Sequence, residues 1–275
     1  MSISKILEIN DKQIKKKGEI LSVFEVLKNH KYILNTGSKN FDDILGGGFN
    51  SLTKYLIFGA NKTGKTQLCH QLCVQAYIQF SKISEANKQK KQEFIYYFDT
   101  ENTFRPERIK QLYLNSEINY KELLKKILVS KIMSNSALLL SLKELENLLK
   151  MNDISILIID TINNHYNSEL ANKEISPYST RKIFIKILDT INQLTKDYNL
   201  ITITTAQVVS NLNREASIRA LPSGNQILNQ YFSEYLYLDY KEHDKRYVQL
   251  VNSLKLPEKR LLYKITSSGI QDYKL

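Results

Sequence analysis

Lys65 and Thr66 end the octapeptide GANKTGKT, in which Gly59 and Gly64 bracket Ala60, Asn61, Lys62 and Thr63. A lysine ammonium offers three donors to phosphate oxygens, and a threonine hydroxyl is a hard oxygen ligand suited to magnesium. Glycines let the backbone wrap an anion without Cβ clashes, and a helix starting at the loop's end would aim its free N–H groups at the same anion. The pattern Gly-x-x-x-x-Gly-Lys-[Ser/Thr] is the phosphate-binding loop of nucleotide hydrolases. Residues Gly59 to Thr66, with Gln67 beside them, are therefore expected to bind a nucleotide, with Lys65 reaching its terminal phosphates and Thr66 its magnesium.

Such chemistry needs carboxylates at two further places. Asp160 ends the apolar run Ile154 to Ile159, which sets it at the C-terminal edge of a buried strand, where parallel sheets gather their ligands; it is expected to hold magnesium, directly or through water. In YYFDTENTFRPER, Asp99 and Glu101 follow a second such run, and a glutamate there can orient and deprotonate water. Cys69 and Cys73 have no partners at metal-binding spacing and read as small core residues in a reducing compartment. His70 reads as a packing residue, and His165 as a solvated loop histidine.

The elements that must position these groups are legible as a pattern. Short apolar runs (Leu56 to Phe58, Phe94 to Phe98, Ile154 to Ile159, Ile201 to Thr205) alternate with helical periodicity, as in Leu68, Leu72, Cys73, Ala76, Tyr77 and Phe80, and in Ile183, Phe184, Ile187, Leu188, Ile191 and Leu194. This predicts an α/β fold whose mostly parallel sheet is flanked by helices. EYLYLDY, RYVQLVN and RLLYKIT read as strands extending that sheet, with Tyr231, Tyr235, Tyr237 and Tyr240 on a sheet face. Gly46 to Gly48 read as a turn, and residues 1–34 as an arm before a single domain, 35–275. A net charge of +11 and a pI near 9.3 favour polyanionic partners. The longest apolar runs fall short of the roughly 20 residues of a membrane helix, so a cytoplasmic protein, or a nuclear one in a eukaryote, is expected.

LNTGSKNFDDILGGGF, FGANKTGKTQLCHQLCVQAY, YFDTENTFRPERI, ILIIDT and ITTAQVV occur in the order and spacing of the RecA/RadA recombinase family, and resemble its archaeal and eukaryotic branch most. The resemblance runs from about Asn35 to the C-terminus. It implies a RecA-like ATPase core, with ATP and magnesium as cofactors, acting in homologous recombination and DNA repair. It also implies residue roles: Glu101 as catalytic glutamate, Asp160 as the Walker B aspartate, Gln207 as the residue that senses the γ-phosphate and links it to DNA, and Arg108 against adenine. Lys65, Glu101 and Gln207 would form the catalytic group. The segment VVSNLNREASIRALPSGN, with Arg214 and Arg219, resembles the second DNA-binding loop; NNHYNSELANKEISPYS, with Lys173, resembles the first.

Departures qualify that picture. About 34 residues precede TGSK, which suggests a short-form member without the N-terminal helical domain. Ile20 and Val23 replace the Phe and Ala of the polymerisation motif. Asn167 and Lys173 stand where recombinases carry arginine, and Glu169 and Glu174 make that loop slightly acidic. Asn102 replaces a glycine beside Glu101, and asparagine is the best substitute where φ is positive. Asn252 and Leu254 replace an aspartate and a proline in the segment that caps a neighbour's nucleotide. The favoured reading is a DNA-modulated ATPase of the RadB-like or paralogue kind, assisting a full-length recombinase and binding single-stranded DNA moderately. A minimal filament-forming recombinase, a low-turnover ATP-binding interaction partner, and a homo-oligomer remain alternatives.

Overall fold

The structure is a computed structural model that describes residues 32–87, 93–113, 119–151, 153–211, 218–242 and 244–273. Ile20 and Val23 in the arm, Lys88, Lys90 and Lys91, and Arg214 lie outside these residues. Tyr32–Leu275 form one compact unit. Its first strand, β1 (Ile33–Leu34), pairs antiparallel with β2 (Phe49–Asn50).

A nine-stranded sheet carries the fold. Its parallel part runs β10 (Glu234–Glu242), β3 (Thr53–Gly59), β7 (Ile201–Ala206), β6 (Asp153–Asp160), β4 (Glu93–Asp99), β5 (Ile127–Lys131). Beyond β10, the strands β11 (Lys245–Asn252), β12 (Lys259–Thr266) and β13 (Gly269–Asp272) add as an antiparallel meander. The apolar runs of β3 and β6 are buried on both sides because alternate residues enter two cores. Ile57, Ile156 and Ile158 meet α2 (Lys65–Asn87) through Leu68, Leu72 and Cys73. Leu56, Phe58, Leu157 and Ile159 join the core formed with α5 (Asn135–Met151) and α7 (Pro177–Asp197). Cys69 and Cys73 are fully buried free thiols.

Shorter helices complete the unit: α1 (Lys39–Ile44), α3 (Pro106–Tyr113), α4 (Tyr120–Lys126), α6 (Asn164–Ala171) and α8 (Asn225–Leu228). The N-terminus of α1 is held by the Asp272 carboxylate, which accepts from the Ser38 hydroxyl at 2.6 Å and the Asn40 amide at 3.0 Å. Phe41 of α1 meets Tyr263 of β12 edge-on at 5.1 Å, sealing one face of the meander. The strands β8 (Val208–Ser210) and β9 (Ala220–Pro222) form a separate antiparallel pair after β7. No helix among the described residues is long and apolar enough to cross a membrane.

Three sequence expectations change. Eight of the 17 residues in the segment resembling the first DNA-binding loop form α6: Asn167 N donates to Asn163 O, and Tyr166 is buried in a stack on Phe184 at 4.2 Å. His165 is accordingly no solvated loop residue but part of α6, with Nε2 bonded to Ile132 O at 2.8 Å. Among the tyrosines, Tyr235 and Tyr237 do pack against Phe58 of the sheet. Tyr231 instead follows α8 and donates to Asp189, and Tyr240 turns toward the phosphate-binding loop.

Candidate nucleotide site

Four parallel strands end at one place, bringing together Gly59 (β3), Asp99 (β4), Asp160 (β6) and Gln207 just past β7. Gly59 is paired with Leu238 of β10, and a Cβ on Gly59 would stand 2.0 Å from the Leu238 carbonyl oxygen. Gly64 takes φ +111°, and a Cβ there would meet Ile265 Cδ1 at 2.7 Å. Backbone alone fits at these points, which leaves the loop's N–H groups and the start of α2 open to an anion. The cleft beside them measures about 330 Å³ and is lined by Asn61, Lys62, Gly64, Lys65, Thr66, Gln67, Glu101, Gln207 and Ile265.

Lys65 Nζ donates to Gly59 O at 2.7 Å and Ala60 O at 3.0 Å, bent over the loop. Burial lowers its pKa, while the carboxylates of Asp160 and Glu101 oppose that shift. Asp160 is fully buried and accepts from three hydroxyls. Its Oδ2 accepts from Thr66 Oγ1 and from Tyr97 OH, each at 2.8 Å, and its Oδ1 from Thr205 Oγ1. Burial, then the nearby Asp160 charge, pushes the Tyr97 phenol well up, so it stays a donor. Thr66 and Asp160 thus present adjacent hard oxygens, a donor set that fits magnesium.

The two carboxylates after β4 are told apart by their partners. Asp99 is consumed by its own turn: Oδ1 accepts from the amides of Glu101 and Thr103, and Oδ2 from that of Phe104. Glu101 instead lines the cleft, with Oε1 accepting from Thr161 Oγ1 at 3.0 Å and Gln207 Nε2 at 2.7 Å. Between them Asn102 takes φ +56°, the left-handed conformation that asparagine tolerates better than other non-glycine residues. His70 ties this turn to α2: its Nδ1 meets Thr66 O at 2.7 Å, its Nε2 accepts from Arg105 N at 3.0 Å, and its ring stacks on Phe104.

Arg108 of α3 is fixed along its whole edge. It donates to Gln67 Oε1, Gln111 Oε1, Ser267 O and Thr266 O over 2.6 to 2.9 Å. A guanidinium engaged along its edge has its flat faces left for stacking. It adjoins the cleft through Gln67.

Several contributors carry no sequence signal. Tyr97 and Thr205 lie within strands and read as core. The meander grips the outside of the phosphate-binding loop: Tyr240 OH donates to Asn61 O at 3.2 Å, Arg246 Nε to Lys62 O at 3.4 Å, and Tyr263 OH to Thr63 O at 2.5 Å. These partners are 179 to 200 residues apart in the chain, beyond any local pattern. Of the residues assigned to DNA, Lys173 is exposed after α6 and Arg219 is exposed just before β9, while Arg214 lies outside the described residues. Glu169, counted above as a loop acid, accepts from the Asn135 amide that begins α5.

A parallel core extended by an antiparallel meander, with a phosphate-binding loop after β3 and carboxylates after β4 and β6, defines a P-loop fold of RecA-like architecture. The family model described as Rad51 matches residues 28–273, and the chain belongs to this family, the RecA/RadA recombinases, whose members are ATPases of DNA repair. Among curated relatives, the DNA repair and recombination protein RadA of Methanococcus maripaludis (strain C5) is 28% identical over 255 residues, covering 90% of this chain and 79% of that protein. The DNA repair and recombination protein RadA of Ignicoccus hospitalis is 29% identical over 241 residues, covering 87% and 72%.

Proposed function

We propose that this chain is a DNA-modulated ATPase that assists a full-length recombinase or paralogue in homologous recombination. The observation that carries the reading is the hydrogen bond from Gln207 Nε2 to Glu101 Oε1. It joins the residue assigned to water activation directly to the residue from which the β8–β9 loop departs. The loop amides and Lys65 would bind the β- and γ-phosphates of ATP, and Thr66 and Asp160 would hold magnesium. Magnesium supplies charge neutralisation across the phosphates. Glu101 Oε2 carries no hydrogen bond to the Thr161 and Gln207 donors that occupy Oε1. Glu101 accepts a proton from the attacking water as the bond between the γ-phosphorus and the bridging oxygen breaks and ADP leaves. Arg108 stacks on adenine.

Gln207 would exchange its bond to Glu101 for the γ-phosphate, changing the loop that carries Arg214 and Arg219. Those arginines and Lys173, on a chain of net charge +11, support salt-sensitive binding of single-stranded DNA. Few cations and the engaged or acidic residues around Lys173 support moderate affinity. The accessory role rests on the apolar residues Ile20 and Val23 in place of the polymerisation motif, and on Asn252 and Leu254 in the cap segment, where Leu254 is 81% exposed. Electron microscopy of the protein with magnesium, ATP and long single-stranded DNA is expected to show discrete complexes. Regular filaments together with strand exchange by the protein alone would replace this reading with that of a minimal recombinase.

A further inference from the structure

The β8–β9 pair stands on two residues, Gln207 before β8 and Ser223 after β9, and α6 touches both. The contacts are of two kinds. Asn163, fully buried just before α6, binds main chain only: its Oδ1 accepts from Gln207 N at 2.8 Å, and its Nδ2 donates to Gln207 O at 2.9 Å and Ser223 O at 3.0 Å. Ser223 N also donates to Gln207 O at 2.9 Å. These bonds hold the two ends together whatever the Gln207 side chain does. Asn163 is therefore a hinge.

Asn167, one helical turn on, binds side chains only. Its Nδ2 donates to Gln207 Oε1 at 3.2 Å, and its Oδ1 accepts from the Ser223 hydroxyl at 2.6 Å. An amide is a rigid plane, so Gln207 cannot turn Nε2 away from Glu101 without moving Oε1 relative to Asn167. Ser223 is in turn the residue that follows β9. A signal at Gln207 reaches β8 directly through the chain, but it has a second, side-chain route to β9.

We infer that Asn167 is a positioning residue that relays the orientation of the Gln207 amide to Ser223, so that both strands of the β8–β9 loop respond to the nucleotide. This rests on the functional reading above, in which Gln207 faces the γ-phosphate. The relay needs no contact between Asn167 and nucleotide or DNA. It makes the far strand respond through the side chains of Asn167 and Ser223.

The test is amide hydrogen exchange on the full chain with magnesium and a non-hydrolysable ATP analogue, reading segments 208–210 and 220–223, with calorimetry to establish that the analogue binds. In the parent, bound analogue is expected to change exchange in both segments by about threefold or more, the scale of one hydrogen bond gained or lost. In Asn167→Ala, segment 208–210 still responds and segment 220–223 does not, with nucleotide affinity unchanged. Asn163→Ala, by contrast, raises exchange in both segments with or without analogue, as loss of a hinge would. Ser223→Ala removes the relay from its other end and serves if Asn167→Ala does not fold. A response of segment 220–223 in Asn167→Ala equal to the parent's overturns the relay. So does a parent that binds the analogue without any change at 220–223. A parent that binds no analogue overturns the functional reading, and the relay with it.

Discussion

Glu101→Gln is expected to lower ATP turnover by at least about a hundredfold, the contribution typical of a positioned general base, while nucleotide affinity stays near the parent's. Glutamine has the shape of glutamate and keeps Oε1 as an acceptor for Thr161 Oγ1 and Gln207 Nε2. What it lacks is basicity. Asp99 cannot take over, because its oxygens are held by three amides of its own turn. Phosphate release under saturating ATP, paired with a calorimetric titration, separates the two quantities. Turnover at the parent's rate would remove Glu101 from the chemistry, and lost affinity would make it a binding residue.

Gly59→Ala acts on the scaffold. The added methyl would lie 2.0 Å from the Leu238 carbonyl oxygen and 3.2 Å from Thr63 Oγ1. The first obstacle is main chain of the adjacent strand, locked in register with β3, and cannot swing aside as a side chain could. Separating the strands is expected to cost about 3 kcal/mol or more, lowering the melting temperature by about 6 °C or more for a unit of this size. Nucleotide binding should fall with it, since the phosphate-binding loop begins at this residue. A thermal melt like the parent's would mean that β3 and β10 are not joined as described.

Much of this was readable because buried parallel strands leave unbroken apolar runs. The runs ending at Gly59, Asp99 and Asp160 became β3, β4 and β6, and the residues just past them met at one cleft. Asn102 at φ +56° shows that a side-chain preference can reveal a backbone conformation. Helix α6 shows no clear periodicity in the sequence because NHYNSELA offers one buried apolar side chain, Tyr166, whose ring stacks on Phe184. The hydroxyls around Asp160 were invisible for another reason: Tyr97 and Thr205 sit mid-strand, where tyrosine and threonine are common for their β-propensity. Tyr240, Arg246 and Tyr263 reach the phosphate-binding loop only because the meander folds back beside β3, a pairing that no sequence window contains.

The central claim is that nucleotide cleavage at Glu101 and DNA at the β8–β9 loop are joined through Gln207. ATP turnover by the full chain, with and without single-stranded DNA at low and moderate salt, tests it most directly. The account predicts stimulation of about fivefold or more at low salt, the scale of ordinary coupling between sites. That stimulation should shrink as salt rises and DNA contacts weaken. Measurable turnover that is the same with and without DNA, at a DNA concentration where binding is demonstrated, would contradict it.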